Sequence, residues 1–242
     1  MAKDISKLID ELAKNSDRIL INPNDLELLK KQGLLINTIP PQTINELFEE
    51  RKKNAFIRIK ELPPLPENVQ PEIQALYQEI RESILFGLDG AAITMSSILI
   101  ELILKHATFI KEAGGYQKAD PEKWDEFEKM ELCAAIKRAE NVGLLDSKMA
   151  ERLHSFRATI RNPYNHYNIK KITQDVVAEK VKRLDIKTGE VKEIDIPAKE
   201  SPMIWAQVKP IVDKKYVLSV FYFADEVVKY LVRQIKNDVL NP

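Results

Sequence analysis

The amino-acid sequence predicts a mainly α fold, a helical bundle with one inserted β-hairpin and a small helical N-terminal region, and three observations lead there. Apolar residues recur at three- and four-residue spacing along most of the 242-residue chain. Only 7 residues are glycine. The period drops to two in a single place, residues 176 to 196, where Val181, Leu184 and Ile186 precede Lys187-Thr188-Gly189 and Val191, Ile194 and Ile196 follow it.

From the N-terminus, Ile5, Leu8, Ile9 and Leu12 share one face of a helix over Lys3 to Ala13. A short helix follows over Asp25 to Lys31, with Asn24 as its cap, and another over Thr43 to Lys53. Leu62-Pro63-Pro64-Leu65-Pro66 cannot continue a helix, so a boundary is expected there, between a region 1–65 and a larger domain 66–242. That domain opens with two long helices, Glu72 to Gly87 and about Gly90 to Ala113, parted by the Asp89-Gly90 turn signal and closed by Gly114-Gly115. A third is expected from about Pro121 to Asn141, before Gly143. Asp146 or Ser147 caps a fourth, which turns Met149, Leu153, Phe156 and Ile160 inward and stops near Pro163. The hairpin interrupts the domain at about 172–200, and a last helix over about Val208 to Lys236 carries Val217, Val220, Phe221, Ala224, Val227, Leu231 and Ile235 on one face.

Lysine plus arginine total 37 and aspartate plus glutamate total 37, so no global field draws the chain to a polyanion, and any such site is local. Cys133 is the single cysteine, which excludes an internal disulfide and a thiolate metal cluster. There is no glycine-rich phosphate loop, no HExxH helix and no zinc spacing, so neither metal nor cofactor is expected. The acidic run Glu122, Asp125, Glu126 and Glu128 suits a solvated helix N-terminus. The apolar run Ala91 to Leu104, interrupted by Glu101, reads as a buried core helix and not a membrane span. Met1-Ala2-Lys3-Asp4 lacks a signal-type apolar core, and a cytoplasmic protein is expected.

Chemistry beyond the needs of folding concentrates at Arg161-Asn162-Pro163-Tyr164-Asn165-His166. A histidine can move a proton near neutral pH, and a fork-shaped guanidinium can neutralise a crowded phosphate. At about 100° per residue His154, Arg157 and Arg161 fall along one flank of the fourth helix. From Arg152 to Lys171 the chain carries Arg152, Arg157, Arg161, Lys170 and Lys171 and no acid, a local basic patch in which Tyr164 and Tyr167 can stack on unpaired bases. The competing reading is structural: the arginines pair with carboxylates of neighbouring helices and the tyrosines fill a helix-end crevice. Glu101, in a narrow polar stripe with Thr94 and Lys105, is either a plain ion-pair partner or the carboxylate that aims Arg157 or Arg161. His106 sits among apolar residues, as a satisfied core histidine would.

Arginine, a polar residue, three further residues and histidine at the end of a helix in an all-α setting resemble the signature of the HEPN superfamily. Glu72 to His166 is similar to HEPN-type domains of uncharacterised bacterial proteins: two long helices containing Ile98-Leu99-Ile100-Glu101-Leu102-Ile103-Leu104-Lys105, then Leu153-His154-Ser155-Phe156-Arg157 leading into Arg161-Asn162. The resemblance covers about Pro66 to Lys236. It implies an antiparallel helical bundle and, in catalytic members, a metal-independent endoribonuclease, often a toxin or antiviral effector. His166 would then be the general acid or base, Arg161 the phosphate ligand and Asn162 an orienting group. Arg157, Tyr164, Tyr167, Glu101, Lys170 and Lys171 would bind substrate or support the site. It also implies a homodimer with a composite site, RNA as substrate, and an antitoxin or regulatory protein as partner. One toxin branch carries a modified tyrosine two residues after the histidine; here Asn168 stands there. The superfamily also contains catalytically silent dimerisation and partner- or RNA-binding modules.

Overall fold

The computed structural model describes residues 43–173, 175–184 and 191–240; the helices expected at 3–13 and 25–31 and the turn at 187–189 lie outside the described residues. Helices α1 (Ile44–Arg58), α2 (Pro71–Leu85), α3 (Asp89–Ala113), α4 (Trp124–Glu128), α5 (Leu132–Asn141), α6 (Ser147–Phe156), α7 (Asn162–Asn165), α8 (Ile169–Ile172) and α9 (Pro202–Leu240) make a mainly α fold. Strands β1 (Val177–Leu184) and β2 (Val191–Pro197) form one antiparallel hairpin, with a bulge between Ala178 and Val181.

α3 is the central helix. Ala92, Ile93, Leu99, Ile100, Ile103, Leu104 and Ala107 are all buried, and the hydroxyls of Ser96, Ser97 and Thr108 donate to carbonyls one turn back. Satisfied in this way, the three hydroxyls can lie in an apolar core. By length and hydropathy α3 is long enough to cross a membrane, yet 67% of its most apolar window is buried inside the protein, as a core helix requires. α2 contributes Ile73, Tyr77, Ile80 and Ile84, α5 Leu132 and Ile136, α6 Leu153 and Phe156, and α9 Phe221, Val227 and Leu231. Tyr77 crosses the core to donate its hydroxyl to Asp225 Oδ1 at 2.7 Å, and Lys229 holds the other oxygen at 2.7 Å.

Thr43 caps α1 by a reciprocal pair of bonds with Glu46. No residue of α1 is buried; Arg58 fastens it by donating to both oxygens of Asp89 at 2.5 and 3.1 Å and to the Ile84 carbonyl. The proline-rich link after it is not a bare spacer, because Leu62 is buried in the main core.

The helix expected over 121–141 is interrupted. Pro121–Lys123 is a 3₁₀ turn, α4 ends at Glu128, and α5 begins at Leu132. In an unbroken helix the Trp124/Phe127 face and the Leu132/Ile136 face would point about 130° apart. The break lets each find its own core. Phe127 and Trp124 pack edge-on against Phe109 at 5.3 and 5.4 Å, while Leu132 and Ile136 join the main cluster. Asp146 then caps α6, accepting the Met149 N–H at 2.7 Å.

Candidate functional site

Pro163 does not stop the fourth helix. Its missing N–H, and the clash of its ring with a carbonyl four residues back, would break an α-helix, so the chain widens first. Arg157–Arg161 form a π turn, in which the Asn162 N–H reaches back to the Arg157 carbonyl, and Pro163 then sits in the first turn of α7. The extra residue in that turn rotates everything after it by about 100° relative to a regular helix. The flank read from strict helical spacing therefore ends at the π turn.

The rotation sends Arg161 toward α3. Its Nη2 donates to Glu101 Oε2 at 3.0 Å and its Nη1 to Asn162 Oδ1 at 3.2 Å. Glu101 Oε1 meets Lys105 Nζ at 2.9 Å, and Lys105, 8% exposed, also donates to the Glu128 carbonyl at the broken end of α4. One carboxylate thus serves two cations. The buried Nε atoms of Arg161 and Arg157 have no hydrogen-bond partner.

His166 follows α7 and is exposed, one turn from Asn162, to whose carbonyl its own N–H donates at 3.1 Å. The helix closes in a Schellman arrangement: Asn168 N–H to Pro163 O at 2.7 Å and Tyr167 N–H to Tyr164 O at 3.1 Å. Its left-handed residue is Tyr167, at φ 48°, where the ends of α2, α3 and α5 use Gly87, Gly114 and Gly143 at φ 71–72°. A side chain there costs about 1 kcal/mol.

Tyr164 does not face solvent. It is 7% exposed and donates its hydroxyl to Asp213 Oδ1 at 2.8 Å, so it cannot stack on a base and instead ties α7 to α9. Burial, reinforced by the Asp213 carboxylate, pushes its phenol well above the ordinary tyrosine range. Asp213 Oδ2 accepts from Lys209 Nζ at 2.5 Å, and that ammonium lies 5.4 Å from the ring centres of both Tyr164 and Tyr167. Gly90 at the start of α3 closes this corner, since a Cβ there would come within 2.7 Å of Asp213 Oδ2. One turn before Lys209, Trp205 lies 5.9 Å from Lys170 Nζ.

The basic patch is smaller than its sequence. Glu226 of α9 binds Arg152 at 2.5 and 2.6 Å, and Arg152 also lies over the Phe223 ring. Arg152 and Arg161 are therefore neutralised by acids from other helices, whereas Arg157 and Lys170 have no carboxylate partner among the described residues. Lys171 is exposed beside Lys170, and His154 is half-buried on α6. A cleft of about 330 Å³ between α6 and α9, lined by Arg152, Ser155, Thr159, Tyr216 and Phe223, runs beside the π turn but includes neither Arg161 nor His166.

His106 lies beside Tyr116 and Trp124 at 5.9 and 6.0 Å between ring centres. It is not the satisfied core histidine the sequence implied: its buried Nδ1 has no partner, and burial depresses its pKa. Among the described residues, no three histidine, cysteine, aspartate or glutamate side chains gather as metal ligands would. Trp205, Lys209 and Asp213 were not legible as site residues, because an amphipathic face on a distant helix gives no signal that it will cover residues 164–170.

Set beside models of protein families, curated proteins and solved structures, the chain matches none of them.

Proposed function

We propose that the chain is a metal-independent endoribonuclease of HEPN type that cleaves single-stranded RNA, acting as a toxin or antiviral effector. The observation that carries this reading is the Arg161 guanidinium, aimed by Glu101 at 3.0 Å and by Asn162 at 3.2 Å, on the same helix end that exposes His166. An arginine fixed before substrate arrives can meet a phosphate without reorganising, which is how preorganised charge lowers a barrier.

His166 takes the proton of the ribose 2′-hydroxyl as that oxygen bonds to phosphorus. The bond from phosphorus to O5′ breaks, and O5′ leaves with a proton donated by the partner's His166 in a composite homodimeric site. The products are a 2′,3′-cyclic phosphate and a 5′-hydroxyl. Arg161 offsets the charge gathering on the phosphoryl oxygens, while Arg157, Lys170 and Lys171 hold the flanking backbone.

The test is cleavage of a labelled single-stranded RNA by purified full-length protein in EDTA. Cyclic-phosphate ends are expected from the wild type, none from His166→Ala, and a rate at least 100-fold lower, order-of-magnitude, from Arg161→Ala. Activity that EDTA abolishes, or an active His166→Ala variant, overturns the mechanism. The second reading is a non-catalytic dimerisation and partner- or RNA-binding module, favoured by the fact that Glu101 already neutralises Arg161. It expects no cleavage and equal growth of cells expressing the wild type or either variant.

A further inference from the structure

Tyr167 carries more of the local design than its place outside the motif suggests. The ring stands on a left-handed residue at φ 48°, where glycine is used at three other helix ends, and the residue is 67% exposed. A strained, exposed aromatic makes no packing sense by itself. It does have backing: Lys209 Nζ lies 5.4 Å from the ring centre, and Lys209 is held in place by Asp213 at 2.5 Å. Asp213 is in turn fixed by the Tyr164 hydroxyl at 2.8 Å. The lysine engages the tyrosine and leaves most of its surface open, beside His166 in sequence and three residues before the exposed Lys170.

We infer that Tyr167, held in its left-handed turn and backed by Lys209, is a stacking platform for an unpaired base of single-stranded RNA, with Lys170 on the adjoining phosphate. The inference rests on the ribonuclease reading for its substrate class and goes beyond it by assigning α9 a part in the site. An aromatic face accepts any base, so the platform supplies affinity and register without sequence preference. Lys209 is a positioning residue: it touches Tyr164 and Tyr167 and keeps the second where a base can reach it. Lys170, with its ammonium 5.9 Å from the Trp205 ring, is aligned by the same face of α9, one turn earlier.

Binding can be read without cleavage by fluorescence anisotropy of a labelled 2′-O-methyl RNA 12-mer, which offers no 2′-hydroxyl nucleophile. Tyr167→Gly removes the ring and suits the backbone, so it keeps the fold, as its thermal midpoint will report. It is expected to weaken Kd by about tenfold, whereas Tyr167→Phe, which keeps the ring, stays within about twofold of wild type. Lys209→Met is expected to weaken binding by several-fold, and Lys170→Ala to lower the slope of log K against log salt by about 0.7, the share of one phosphate on a single strand. Wild-type affinity in Tyr167→Gly, or a wild type that does not bind the 12-mer, overturns the platform. Cleavage of unmodified RNA in EDTA is scored separately. Binding that follows this pattern without cleavage leaves the platform standing and removes the nuclease, while cleavage with an unchanged Kd in Tyr167→Gly does the reverse.

Discussion

Gly90→Ala has competing effects whose magnitudes decide its sign. Gly90 lies in the first turn of α3, where alanine in place of glycine ordinarily stabilises a helix by up to about 1 kcal/mol. Here the new Cβ would lie 2.7 Å from Asp213 Oδ2, 3.0 Å from Lys209 Nζ and 3.4 Å from Asp213 Cγ. A carbon and an oxygen need about 3.3 Å or more, so the carboxylate must move by roughly half an ångström or more. Asp213 is 6% exposed and holds both the Tyr164 hydroxyl and Lys209, so moving it strains two bonds at once. Leaving the buried hydroxyl poorly bonded costs about 1–3 kcal/mol, more than the propensity gain. The net expectation is a loss of about 1–2 kcal/mol and a thermal midpoint lower by roughly 3–6 °C for a chain of this size. Urea unfolding of a double-mutant cycle isolates the cause. In an Asp213→Ala background the carboxylate is gone and Lys209 Nζ, no longer held by it, can swing aside, so Gly90→Ala is expected to be neutral or stabilising. A more stable Gly90→Ala single variant, or two strictly additive substitutions, would refute the reasoning.

Glu101→Gln keeps the side-chain shape but leaves Lys105 and Arg161 without their shared counter-charge. With the group partly exposed, a loss of about 2 kcal/mol in urea unfolding is expected, less than for a fully buried pair. Adding Lys105→Met should restore part of that loss, and a Glu101→Gln variant within about 0.5 kcal/mol of wild type contradicts the network. His106 resists protonation in the fold because burial lowers its pKa from 6.5, while the unfolded chain takes up the proton at that value. Its contribution is therefore full above pH 6.5 and falls as pH drops through the folded value, by at most about 1.4 kcal/mol per pH unit. His106→Leu should flatten the stability profile just below pH 6.5; an unchanged profile assigns the slope to other groups.

Local chemistry made much of the fold legible. Period, prolines and helix-end glycines located the long helices, and the cap was readable to within Asp146 or Ser147 because such a bond, here from Met149 to Asp146, spans only three residues. The break after Glu128 was not readable, since a continuous helix satisfies the local pattern and only two separate cores, around Phe109 and around Ile136, favour interruption. The π turn escaped for a related reason. Pro163 signalled an end, but widening the preceding turn was the alternative that kept Arg161, Tyr164 and their partners together.

By itself the sequence determined the helical class, the hairpin and the cluster Arg161-Asn162-His166, because periodicity and motif spacing are properties of neighbouring residues. Tertiary structure alone decided that Arg161 meets Glu101, that Glu226 silences Arg152, and that Tyr164 is buried on Asp213 while Tyr167 stands exposed against Lys209. Those partners lie about 40 to 75 residues apart along the chain, and only packing of α3, α6, α7 and α9 brings them together.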